Sequence, residues 1–163
     1  MKRFLSLMVM LLGLLVCNAK ATPVLQGRVV GVSDGDSLTL LDADQRQHKI
    51  RLQGIDAPEI KQAYGQKSKA SLSNLVYNKT IQVHAYKKDR FGRTVGQVML
   101  GDIDICLEQA RRGMAWHYKD YQDEQSAEDR ERYDRAEKQA REQGLGLWHD
   151  PAPVAPWVFR QKK

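Results

Sequence analysis

Five short runs of β-branched and apolar residues, each bounded by a polar or glycine turn, constrain this chain more than any other feature. Val24 to Val32 and Ser37 to Leu41 flank Asp34-Gly35, and Gln47 to Ile55 follows Asp42-Ala43-Asp44-Gln45. Thr80 to Tyr86 and Thr94 to Leu100 are joined by the charged turn Lys87-Lys88-Asp89-Arg90-Phe91-Gly92-Arg93. This punctuation predicts strands joined by tight turns. In the third run Ile50, Leu52 and Gly54 alternate with Lys49, Arg51 and Gln53, so one face enters a core while Arg51 points the other way.

Helical spacing occupies the remaining stretches. Tyr64 to Tyr77 places Ala70, Leu72, Leu75 and Val76 on an apolar side. Asp104 caps a second helix through Arg112, with Cys106, Leu107 and Ala110 inward and Gly113 at its end. Ser126 and Asp129 form a capping-box pattern that opens a third, running through Tyr133, Ala136 and Ala140 to Gly144. Five strands with a helix between the third and fourth, and helices after the fifth, predict a mainly β, α+β fold. The expected architecture is a five-stranded OB-type Greek-key barrel with about three α-helices.

The barrel is one domain over residues 22–150. Pro151 to Lys163 has three prolines and a basic end and reads as an irregular tail, with Trp157 and Phe159 as candidates to dock on the barrel. At the other end, Met1-Lys2-Arg3 precedes an apolar run from Phe4 to Cys17 and the small-residue pattern Ala19-Lys20-Ala21. That is the form of a secretory signal peptide over residues 1–21, too short to span a bilayer comfortably, which disfavours a membrane anchor, and a secreted or periplasmic destination is expected. A lipidated Cys17 is disfavoured by the bulky Val16 before it. Removing the leader leaves Cys106 without a disulfide partner and takes Lys2, Arg3 and Lys20 but no acid, so the net charge of +6 falls to +3. The mature core must therefore stand without staples, and its positive balance suits a polyanionic partner.

Carboxylates collect at strand ends: Asp36 just past the Asp34-Gly35 turn, and Asp56 and Glu59 just past the third run. Such residues often serve only as turn formers and caps. Gathered on loops without thiols or paired histidines, they also suit a hard cation, calcium or magnesium, better than zinc. Arg51 and Arg93 flank this acidic corner, and guanidinium forks match phosphate oxygens. A metal, a carboxylate and two arginines suffice for phosphodiester hydrolysis. The plainer reading is ion pairing across a barrel surface, each pair contributing less than about 1 kcal/mol.

From Val24 to Trp148 the chain resembles the staphylococcal nuclease family, through "VSDGDSLTL", "IRLQGIDAPE", "DRFGRTVGQV", "ARRGMAW" and "GLGLW" in that order. The resemblance implies an OB barrel and a calcium-dependent nuclease acting on DNA and RNA, on single-stranded or loosely paired regions. Carried over by position, Arg51, Glu59 and Arg93 are the catalytic residues. Asp36 and Asp56 supply calcium carboxylates, and Ala57 a backbone carbonyl. Attack by water, with Glu59 as base or water-positioning group and the 5′ oxygen leaving, gives 3′-phosphate and 5′-hydroxyl ends.

There are departures. The loop between Glu59 and Tyr64 is short for the family, and Phe91 stands where relatives often place tyrosine. Arg90, Phe91, Tyr118 and Tyr121 are the substrate-contact candidates, although core packing or a solvent-facing loop also accounts for the tyrosines. Lys87 and Lys88 attract a polyanion or merely keep a hairpin soluble. The four histidines lack metal-ligand spacing, and Cys106 reads as a buried small hydrophobe. A monomer, with no membrane association after leader removal, is expected. A noncatalytic OB module that binds nucleic acid or peptide is the alternative.

Overall fold

The computed structural model describes residues 23–161, so the leader expected over residues 1–21 lies outside the described residues. In chain order the elements are β1 (Val24–Val32), β2 (Ser37–Leu41), β3 (Gln47–Leu52), the two-residue β4 (Ile55–Asp56), α1 (Gly65–Val76), β5 (Thr80–Lys88) and β6 (Thr94–Leu100). There follow β7 (Ile103–Asp104), α2 (Ile105–Arg111), β8 (Trp116–His117), α3 (Ala127–Glu142) and α4 (Pro156–Gln161). The main sheet runs β3-β2-β1-β5-β6-β7, and β3 also pairs with β6. That last pairing is parallel, with Arg51 opposite Val95, and it closes β1, β2, β3, β5 and β6 into a five-strand barrel. Closure leaves none of these five strands with a free edge along the paired stretch.

Period-two alternation fills the barrel. Leu38 and Leu40 of β2, Ile50 and Leu52 of β3, Ile81 and Val83 of β5 and Val98 of β6 are all buried in one cluster, which Leu72 and Val76 of α1 join. Each such side chain contributes roughly 1.5–3 kcal/mol, and a one-residue slip of β3 would exchange Ile50 for Arg51 in the core. On the far side α3 packs on α2. Buried Tyr133 donates its hydroxyl to Asp104, whose carboxylate also caps α2 by accepting the Leu107 amide at 3.1 Å. Ser126 caps α3 by accepting the Asp129 amide at 3.0 Å.

Three details differ from the sequence reading. The third run is not one strand: β3 stops at Leu52, Gly54 turns with φ of 75°, and Ile55 and Asp56 pair with β8 instead. The buried face of α1 is Gly65, Ser68, Leu72 and Val76, with Ala70 exposed. Ser68 tolerates burial because its hydroxyl donates to the Met114 carbonyl at 2.6 Å. The tail read as irregular instead forms α4, with Trp157 stacked on Tyr118 at 5.4 Å and edge-on to Trp116 at 5.5 Å. Proline at the first helical position explains the start, because its missing N–H is not needed there.

Candidate active site

The turn between β1 and β2 is built to present Asp36. Asp34 accepts the Asp36 amide at 3.0 Å, while the Asp36 carboxylate accepts the Ala57 amide at 2.6 Å and the Ser37 hydroxyl at 3.0 Å. Between the two acids, Gly35 lies so close to Ser68 and Ala57 that a Cβ would collide with both. Its carbonyl accepts from Nε2 of the fully buried Gln109 at 2.8 Å. Burial and then the Asp36 charge push the Asp34 carboxyl up to about 6.

Arg51 projects from β3 into these acids. Its guanidinium donates to the Leu52 carbonyl at 2.8 Å and to Asp56 at 3.0 Å, and pairs with Asp36 at 3.3 Å. Burial works against its charge, but Asp36, Asp56 and Asp34 outweigh that and raise its pKa. Asp56 is fixed by the β4–β8 pairing opposite Trp116. Burial lifts its carboxyl above the ordinary range even though Arg160 and Arg51 pull it down.

Glu59 follows Pro58 on the next loop. Its amide donates to Gln62 at 3.1 Å, and its carbonyl lies against Gly65, where a Cβ would collide with it. Arg93 enters from the β5–β6 hairpin. Asp89 organises that turn by accepting the Phe91 and Arg93 amides, each at 2.9 Å, and it holds the Arg93 side chain through Nε at 2.7 Å. A second Arg93 nitrogen donates to Ser37 at 3.2 Å.

All ten sequence-predicted residues line one cavity of about 610 Å³: Asp36, Arg51, Asp56, Ala57, Glu59, Arg90, Phe91, Arg93, Tyr118 and Tyr121. They differ in exposure and in partners. Tyr118 is half-buried against Trp157, while Tyr121 and Phe91 are 48% and 68% exposed at the rim. Arg90 lies over the Phe91 ring at 4.8 Å. The Ala57 amide donates to Asp36, which holds its peptide beside the acids. A smaller cavity of about 160 Å³ beside Gln53, Tyr86 and Ser126 has no lysine or arginine in its wall and is a poor place for a phosphate.

Among the described residues no three Asp, Glu, His or Cys side chains form a group able to hold a metal on their own. The chemistry nonetheless fits a hard cation: Asp34, Asp36, Asp56 and Glu59 all line the cavity. Asp36 and Asp56 are already close enough to share the Arg51 guanidinium. Two carboxylates would supply only part of a calcium shell of roughly six to eight oxygens, leaving the rest to water, carbonyl and substrate.

Sequence reasoning missed four residues. Gln109 and Asp89 position the loops just described. Gln62 holds the Glu59 loop and donates to the Val154 carbonyl, tying it to the C-terminal segment. Arg160 of α4 donates to Asp56 at 2.7 Å and to Glu59 at 2.9 Å. The aromatic residues around Arg160 were the available signal that this segment docks.

A closed OB barrel gathers its acids and arginines on one open cavity, an arrangement that suits a phosphodiester substrate. Comparison with known proteins agrees: the family model described as staphylococcal nuclease homologue matches residues 49–150. A protein named as an uncharacterized endonuclease in Haemophilus influenzae is 43% identical over 136 residues, spanning 83% of this chain and 73% of its own. A micrococcal nuclease of Shigella flexneri is 35% identical over 158 residues, covering 90% of this chain and 87% of its own. The chain belongs to the staphylococcal nuclease family.

Proposed function

We propose that the protein is a calcium-dependent, sugar-nonspecific nuclease that cleaves DNA and RNA to 3′-phosphate and 5′-hydroxyl ends. The observation that carries this is the convergence of Arg51, Glu59 and Arg93 on the cavity that also receives Asp36 and Asp56. Asp36, Asp56 and the Ala57 backbone would hold the ion, which when bound supplies Lewis-acid polarisation of the phosphoryl oxygens.

The chain's own residues account for the rest. Arg51 and Arg93 grip non-bridging phosphoryl oxygens and stabilise the charge that grows on them in the transition state. Both are pre-positioned, Arg51 by two aspartates and Arg93 by Asp89, so little reorganisation is needed when substrate arrives. Glu59 orients the attacking water or accepts its proton. Exposed Phe91 and Tyr121 offer ring faces to unpaired bases, and Lys87, Lys88 and Arg90 on the same rim attract the backbone. Base stacking requires unpaired bases, which supports the preference for single-stranded or loosely paired substrate.

The apolar leader supports export, and the enzyme acts as a monomer in the periplasm or medium. Fractionation of cells expressing residues 1–163 tests this, and unprocessed protein confined to the cytosol would refute it. For the activity itself, the processed chain from Thr22 is incubated with single-stranded DNA, duplex DNA and RNA, with calcium, magnesium or chelator. Loss of all three substrates in calcium, abolished by chelator and reduced at least about 100-fold in Glu59→Ala and in Arg51→Ala, is the expected result. Tight single-strand binding without cleavage would instead make the domain a noncatalytic module.

A further inference from the structure

Residues beyond Asp150 lie outside the family match, yet they reach its centre. The Gln62 amide holds the Val154 carbonyl, Ala155 and Pro156 are buried, and Trp157 is stacked on Tyr118 with its ring plane only 14° away. These anchors deliver Arg160 from a segment that sequence composition marks as a loose tail.

Its guanidinium forks onto both oxygens of Asp56, at 2.7 and 3.3 Å, and reaches Glu59 at 2.9 Å. Arg93 is engaged by Asp89, and among the described residues Arg51 and Arg160 are the guanidiniums paired with the inner acids. An arginine forked onto both oxygens of a carboxylate occupies the in-plane positions from which a bidentate ion would be held, and two cations sharing one carboxylate repel each other.

We propose that Arg160 is a built-in competitor for the metal, occupying Asp56 in place of a divalent cation while it engages the neighbouring Glu59, so that α4 sets the cation affinity of the site. The inference rests on the calcium reading above. Coupling between sites is reciprocal: whatever Arg160 takes from calcium affinity, calcium takes from the docking of Arg160. Displacement also frees Glu59 from its ion pair, making the water-orienting carboxylate available only when the ion has arrived. Trp157 and Val154 keep α4 tethered beside the site, so Arg160 can return when the ion leaves.

The test is calorimetric titration of calcium into the processed wild-type chain, Arg160→Ala and Arg160→Lys, with hydrogen exchange of residues 156–161 as the second readout. Arg160→Ala is expected to bind calcium about tenfold more tightly than wild type. Arg160→Lys falls between them, because an ammonium lacks the fork. In wild type, calcium should speed exchange in α4. Equal or weaker binding by Arg160→Ala, with wild type binding normally, overturns this proposal and leaves the calcium reading standing. No binding by any of the three, with cleavage surviving chelator, overturns both. If Arg160→Ala folds poorly by tryptophan fluorescence, the lysine variant and the exchange measurement decide the matter.

Discussion

Gln109→Met removes a buried amide that does not line the cavity and should weaken both the fold and the site. Gln109 is fully buried; its Nε2 donates to the Gly35 carbonyl at 2.8 Å and to the Ser68 carbonyl at 3.2 Å, and its oxygen accepts from Ser71 at 2.7 Å. Methionine is also unbranched and of similar volume, so the change isolates hydrogen bonding from cavity formation. A buried carbonyl left without a donor costs about 1–3 kcal/mol, and each ordinary bond lost adds about 1 kcal/mol. Ser71 is only partly buried and can turn to water, so the expected sum is about 2–4 kcal/mol. Urea unfolding followed by tryptophan fluorescence reads it as a lower midpoint at unchanged slope. Because Gly35 lies between Asp34 and Asp36, the variant should also cleave more slowly and, on the calcium dependence proposed above, need more calcium for half-maximal cleavage. A loss below about 0.5 kcal/mol would refute the idea that Gln109 pins this turn.

Asp34→Asn should stabilise the calcium-free protein above neutrality. The folded carboxyl is raised from 3.8 to about 6, so its contribution is full below the unfolded value and is lost as pH rises through about 6. Asparagine can still accept the Asp36 amide, and a gain of about 1–3 kcal/mol at pH 7.5 that vanishes near pH 4 is expected from thermal melts in chelator. Gly35→Ala forces a Cβ into Ser68 and Ala57 and should lower the melting temperature and cleavage together; an unchanged melt would show that the turn yields cheaply. Cys106 is buried and its thiol is pushed up by burial and then Asp104, so it should ignore Ellman's reagent at pH 8 until urea unfolds the chain.

How much of this was legible depends on the distance over which each residue acts. The barrel strands were readable because alternation is local, and Asp36, Arg51 and Arg93 were readable because they stand where strands end. The break at Gly54 was not, since it depends on β4 finding β8 far along the chain. Ser68 and Gln109 are polar types expected at the surface, and they are buried only because each meets a backbone group contributed by a different element. Arg160 was the hardest to find: its acids are about a hundred residues away, and a proline-rich composition argues against a helix.

The parallel junction of β3 with β6 ties activity to the folding history of the chain. Arg51 lies within that junction, and Arg93 immediately precedes Thr94, which pairs with Ile50. Neither half of the chain brings the two arginines together. Their approach must await a contact between segments separated by α1 and two strands, the kind of distant pairing that slows a chain's search. Recovery of cleavage during refolding should therefore lag behind helix formation and coincide with barrel closure, making the enzyme's own catalysis the natural clock for the last step of its folding.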